Sequence, residues 1–117
     1  MRVIICGGRT FDDYEMLERE LDALHAQHRF SLVIHGGARG ADSFAEHWAQ
    51  SRHLDVEKIP AQWKRYGNRS AGPIRNSEML RKDPALVIAF KGGPGTANMV
   101  RQARAAGVKV IDLAEPV

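Results

Sequence analysis

The chain has 117 residues, a formal net charge of +3 and one cysteine. That length makes a single domain, 1–117, able to bury a core without staples, and the lone Cys6 leaves no pair for an internal disulfide. No apolar run approaches the roughly 18 residues of a membrane span, and the four apolar residues after Arg2 are too few for a secretory leader, so a soluble, cytoplasmic protein with no membrane partner is expected.

In chain order, Val3 to Cys6 reads as a strand with Cys6 packed as a small hydrophobe, and Gly7-Gly8-Arg9-Thr10-Phe11 as the loop leaving it. A helix follows, capped by Asp12 with Glu15 three residues on, its apolar stripe formed by Tyr14, Leu17, Leu21 and Leu24. Ser31 to His35 is a second strand and exits through Gly36-Gly37-Ala38-Arg39-Gly40-Ala41-Asp42. A helix over about Ala41 to His53 buries Ala41, Phe44, Ala45 and Trp48, and Val56 to Ile59 makes a third, weaker strand.

Pro60 to Pro73 shows neither the helical nor the strand period and reads as a functional loop. It sets Trp63 and Tyr66 among Lys64, Arg65 and Arg69, a mixture suited to a stacked base and a phosphate. From Lys64 to Lys82 six cations face one acid, Glu78, so positive charge is concentrated there. A helix from about Ile74 to Arg81 leads to the apolar strand Leu86 to Phe90 and the turn Lys91-Gly92-Gly93-Pro94-Gly95-Thr96. A helix over Ala97 to Ala106, with Gly107 as its C-cap, and a strand Val108 to Leu113 complete the chain.

Strands alternating with helices imply a single α/β Rossmann-like domain, about five parallel strands with helices on both faces. Ligands of such sheets bind beyond the carboxyl ends of the strands. Gly7-Gly8, Gly36-Gly37 and Gly92-Gly93 all lie at such ends, which predicts a nucleotide-like or phosphate-bearing ligand. Its phosphate would meet the Gly92, Gly93, Gly95 and Thr96 N–H groups and the positive end of the following helix.

With these residues assembled, the chain resembles the SLOG superfamily, which includes the Lonely Guy phosphoribohydrolases and the DNA-processing protein DprA; within it the YspA-like, YpsA-related family matches best. The residues that carry the resemblance are GGRTFDD at Gly7 to Asp13, HGGARGAD at His35 to Asp42, PAQWKRYGNRSAGPIRN at Pro60 to Asn76, and KGGPGT from Lys91. The resemblance implies binding of nucleotides or nucleotide-derived molecules such as ADP-ribose, and suggests a homodimer, to which Phe44, Trp48 and the last helix would supply an interface. In the Lonely Guy enzymes an Arg begins the helix before the phosphate strand, a position that Arg75 matches, whereas their Glu falls on Met99 and their leading Pro on Lys91. A phosphoribohydrolase passes through an oxocarbenium-like state that a carboxylate stabilises; Met99 cannot, and Asp42 is the candidate replacement or else a helix-start acid.

Among the remaining candidates, Arg75 and Asn76 follow Pro73 on the ligand side, and Arg9 and Arg39 lie in two of the glycine loops, where each would clamp a second phosphate or face water. Trp63 is either a stacking platform or a loop anchor, and Trp48 belongs to the core. His25 and His28 read as a solvated helix face, and His35 as a ligand contact or a satisfied strand-end residue; the reading includes no metal and no cofactor. Three functions follow. The first is binding or sensing of a nucleotide, with ribose near Gly36 to Asp42, which includes Gly37 and Gly40, and base toward Trp63. The second is a nucleotide N-glycosidase using Arg75 and Asp42 as catalytic residues. The third is a single-stranded nucleic-acid module of DprA type.

Overall fold

A computed structural model describes residues 1–114. Five strands, β1 (Arg2–Cys6), β2 (Leu32–His35), β3 (Asp55–Lys58), β4 (Leu86–Ala89) and β5 (Lys109–Asp112), alternate with four helices, α1 (Tyr14–His28), α2 (Ala41–Ser51), α3 (Trp63–Leu80) and α4 (Pro94–Ala105). All pairings are parallel, in the order β3-β2-β1-β4-β5. The domain is therefore the α/β Rossmann-like fold that the alternation predicts.

Burial explains which strand sits where. The central strands β1 and β4 carry Val3, Ile4, Ile5, Val87 and Ile88, all fully buried. A strand covered on both faces needs such an unbroken apolar run. The edge strands β3 and β5 mix charge with Val and Ile and stay half-exposed, which keeps the sheet edges from pairing with other chains. Alternate residues face opposite sides: Val3, Ile5 and Val33 pack under Leu17, Leu21 and Trp48 of α1 and α2, and Ile4, Cys6 and Ile34 pack under Met79, Met99 and Ala103 of α3 and α4. Trp48 and Ala103 are buried within the chain's own core, and Phe44 packs against Phe11 and Tyr14, so these residues cover their own sheet.

Four local expectations shift. Asp13, not Asp12, caps α1, accepting from Met16 N–H at 3.1 Å, because the helix begins at Tyr14 and the cap must precede it by one residue. His25 is not on a solvated face: its Nδ1 accepts from Phe30 N–H at 3.0 Å and its ring meets Trp48 edge-on, since the left-handed Arg29 folds the chain back over the helix end. α4 starts at Pro94 rather than Ala97, so Pro94, Gly95 and Thr96 form its first turn; proline is at home there because its missing N–H has no helical partner to lose. The helix ends at Ala105 with Ala106, not Gly107, as its C-cap, and Gly107, at φ +76°, makes the turn one residue later.

The largest departure is Pro60 to Pro73, most of which is helical. α3 runs from Trp63 through Leu80, broken at Gly67, where φ 82° and ψ 172° divide a short first segment from the main helix. Gln62 to Arg65 and Gly67 to Ser70 are exposed, so no apolar face imprints a helical period on them.

Candidate functional site

The crossovers explain where a cleft forms. β1 and β4 are neighbours, but the chain leaves β1 toward α1 and α2 on one face and leaves β4 toward α4 on the other. The loops part there, at the switch point where parallel sheets open a crevice. A cleft of about 1760 Å³ occupies this edge. It brings together Gly7, Gly8, Arg9, Gly36, Gly37 and Arg39 from the first two strand exits, Asp42 of α2, Trp63, Arg75 and Asn76 of α3, and Gly92, Gly93, Gly95 and Thr96. Gly40 is the sequence candidate that does not line it.

Gly8 is the hub of the cleft floor. Its N–H donates to Lys91 O at 2.9 Å, and its carbonyl accepts from Phe11 and Ala41 N–H, both at 3.2 Å, so one residue ties the exits of β1 and β4 to the start of α2. Gly40, at φ +72°, presses on this hub: a Cβ there would collide with Gly8 O and lie 2.7 Å from Arg9 O. At Gly92 a Cβ would strike Thr96 Oγ1 and come within 2.7 Å of Gly8 N. These glycines are required by packing.

Gly93 and Gly95 differ. A Cβ on either meets nothing within 4 Å, and neither has a positive φ. Both stand exposed where α4 begins. The first helical N–H groups lack i−4 acceptors, and Ala97 is the first to donate back, to Gly93 O at 3.1 Å. Gly95 and Thr96, whose N–H groups come before it in the helix, line the cleft together with Lys91, where the helix end carries partial positive charge. Arg9, Arg39, Arg69, Arg75 and Lys91 line the cleft against Asp12, Asp13 and Asp42, so it is net positive.

The corner at Gly36 holds a buried carboxylate. Asp42 is 6 % exposed, and its Oδ2 accepts from Ala38 N–H at 3.1 Å. Burial raises its pKa; the Ala38 N–H, His35, Arg75 and the nearby Gly36 N–H partly offset this. Half-buried Arg75 donates from Nη1 to Gly36 O and from Nε to Asn76 Oδ1, both at 3.0 Å. Burial lowers its pKa, Asp42 opposes the shift, and Arg9 adds to it. His35 beside this corner is a satisfied structural residue: Nδ1 accepts from Gly37 N–H at 2.9 Å and Nε2 meets Glu46 Oε1 at 3.0 Å. The Cys6 thiol, also at the cleft, is pushed well up by burial and then by Asp42, so it stays protonated.

Trp63, 40 % exposed, lies at the mouth with the Arg9 guanidinium 5.6 Å from its ring centroid. This cation–π contact joins the β1 exit to the start of α3. Asn76 is 3 % exposed, and its Nδ2 donates to Gly95 O at 3.1 Å and to Asn98 Oδ1 at 3.0 Å. Gln102 extends the chain, donating from Nε2 to Asn98 Oδ1 at 2.7 Å and Pro73 O at 3.0 Å and accepting from Ser77 Oγ at 2.7 Å. Asn76 therefore fixes the first turn of α4 against α3. Asn98, Gln102 and Ser77 were not among the sequence candidates; their signal was polar residues at i and i+4 of α4 beside the buried Met99 and Ala103.

An all-parallel sheet whose glycine-rich strand exits meet at a positively charged switch point defines a Rossmann-like domain. The description YspA, cpYpsA-related SLOG family matches residues 1–66. The Gene 61 protein of Mycobacterium phage D29 is 36 % identical over 122 residues, spanning 97 % of each chain. The chain belongs to the YspA, cpYpsA-related SLOG family. A crystal structure of glycinamide ribonucleotide transformylase 1 from Symbiobacterium toebii is similar at 17 % identity and TM-score 0.47 over 92 % of this chain; the chain spans 61 % of that protein's length. Among the described residues no helix is long and apolar enough to cross a membrane.

Proposed function

We propose that this domain binds, and by binding senses, a nucleotide or nucleotide-derived molecule, with phosphate on the Gly92 to Thr96 turn and the base toward Trp63. The observation that carries the reading is the pair Gly93 and Gly95: neither internal packing nor a positive φ demands glycine there. Gly95 lies inside the first turn of α4, where glycine costs about 0.5–1 kcal/mol relative to alanine, and a phosphate lying on the backbone is the physical reason to keep it. Binding is favoured over N-glycoside cleavage because Met99, where the Lonely Guy enzymes carry Glu, is fully buried under the sheet and does not line the cleft.

The test is the shift in melting temperature with AMP, ADP-ribose, NAD and a short single-stranded DNA, for the wild type and Gly95→Ala, at about 0.2 M salt, where nonspecific nucleic-acid contacts weaken. A ligand at 100 times its Kd adds about 2.7 kcal/mol, several degrees for a domain of this size. A shift with a small nucleotide that is lost in Gly95→Ala is the expected result. A shift with DNA alone would replace the proposal with the nucleic-acid reading, and an undiminished shift in Gly95→Ala would remove phosphate from this turn.

A further inference from the structure

The first segment of α3 is lightly attached to the fold. Gln62 to Arg65 are exposed and Tyr66 is half-buried, whereas Ala71, Gly72, Asn76 and Met79 anchor the main helix. The segment's backbone bonds are local, Arg65 and Tyr66 N–H both donating to Gln62 O, at 3.1 and 3.0 Å. Trp63 ties it to the cleft: the Arg9 guanidinium lies 5.6 Å from the ring centroid, and the ring touches Gly72, where a Cβ would lie 3.9 Å from Trp63 Cη2. A region with so little buried is among the first to open.

At Gly67 the chain takes φ 82° and ψ 172°, a combination essentially confined to glycine. No neighbour imposes it, since a Cβ there would meet nothing within 4 Å. What the break does is redirect Trp63. Residues 63 and 72 are nine positions apart, so an unbroken helix would set them about 13.5 Å apart along its axis. The break instead folds the indole back onto Gly72 at the cleft mouth. Two helical arms joined at one such glycine make a hinge.

Charge sets how the short arm rests. Lys64 and Arg65 flank a cleft that Arg9, Arg69 and Lys91 already line, no acid occurs between Lys58 and Glu78, and none of these five cations forms an ion pair among the described residues. Like charges push the arm off the cleft, and an exposed cation–π contact is a weak latch against them. An anion in the cleft reverses the balance. We infer that Trp63 to Tyr66 is a lid, hinged at Gly67 and latched by Arg9 on Trp63, that opens readily in the free protein and is shut by an anionic ligand. The inference rests on the nucleotide reading and adds the gating of that site: closure turns binding into a change of exposed surface, which a sensor needs.

Limited trypsin digestion of the full chain, with the cut sites read by mass spectrometry, tests it, because Lys64 and Arg65 are themselves trypsin sites and cleavage follows how often a segment opens. In the free protein, cuts after Lys64 and Arg65 should come well before the cut after Arg19 in α1. ADP at 100 times its calorimetric Kd should slow the lid cuts by about tenfold or more, and by more than it slows the Arg19 cut. Arg9→Gln removes the latch and should speed the lid cuts of the free protein about two- to fivefold. Gly67→Ala strains only the latched conformation and should speed them about fivefold or more, with the Arg19 cut unchanged. Lid cuts no faster than the Arg19 cut, or lid cuts unmoved by Gly67→Ala, would overturn the hinge. ADP that binds while lid and Arg19 cuts slow alike would overturn the gating and leave the nucleotide reading standing, whereas ADP that does not bind would overturn both. The wild-type and Arg9→Gln digests decide the matter even where Gly67→Ala folds poorly.

Discussion

Two neighbouring sets of glycines in the cleft have opposite reasons to exist. Around Gly8, the glycines Gly40 and Gly92 are packed so closely that one added carbon would strike backbone atoms of a different loop. At Gly93 and Gly95, a few residues along the same chain, the added carbon would meet empty cleft. The first set builds the floor by letting three loops touch. The second leaves backbone N–H groups uncovered beside Lys91, and it is the part of the cleft that a ligand can use. A glycine-rich motif therefore needs its surroundings before it can be assigned to architecture or to binding.

Substitution makes the contrast measurable. The largest effect is expected at the floor: Gly40→Ala combines strain at φ +72° with a collision against Gly8 O. Each cost is about 1–3 kcal/mol, so the variant should lose roughly 3 kcal/mol and melt about 10 °C or more below the wild type. A fall of only a degree or two would erase the distinction between the two sets. Gly95→Ala should do the reverse and stabilise the unliganded protein by up to about 0.5–1 kcal/mol, although it removes the nucleotide-dependent shift. A lower melting temperature for the unliganded variant would mean that Gly95 serves the fold after all.

The smallest expected effect lies at the corner between the two sets and is read as a slope against pH. Burial raises the Asp42 pKa above its value in the unfolded chain, so the folded state holds the proton more tightly. Its stability then falls as pH rises from the ordinary aspartate range through the raised value, and the penalty disappears below that range. Asp42→Asn has no proton to lose, so its melting temperature should improve relative to wild type as pH rises above the ordinary aspartate range. A wild-type-minus-variant difference that stays flat with pH would show that Asp42 is not strained by burial.

Much of this architecture is legible in the chain. Val3 to Cys6 and Leu86 to Ala89 announce themselves as central strands because burial on both faces demands an unbroken apolar run. Leu17 and Leu21 mark the inner face of α1 because its outer face is solvated. The start of α3 gives no such signal: Lys64, Arg65, Asn68 and Arg69 are exposed, and a helix without a buried face leaves no period to read. The Asn76, Asn98 and Gln102 network was hidden for another reason, since its partners meet only when α3 packs on α4.

The alternation of strand and helix, the parallel sheet that follows from it, and the glycine pairs at three strand exits can all be read from local stretches of the chain. These depend on near neighbours and on the period with which side chains meet water, and both are written locally. Tertiary structure decided the rest. It placed β1 beside β4, set Gly40 beneath Gly8, and left Gly93 and Gly95 open. It also stationed Asp42 and Arg75 on either side of Gly36, although 33 positions separate residue 42 from residue 75 in the chain. Such contacts depend on which strands become neighbours, and no local window of sequence carries that choice.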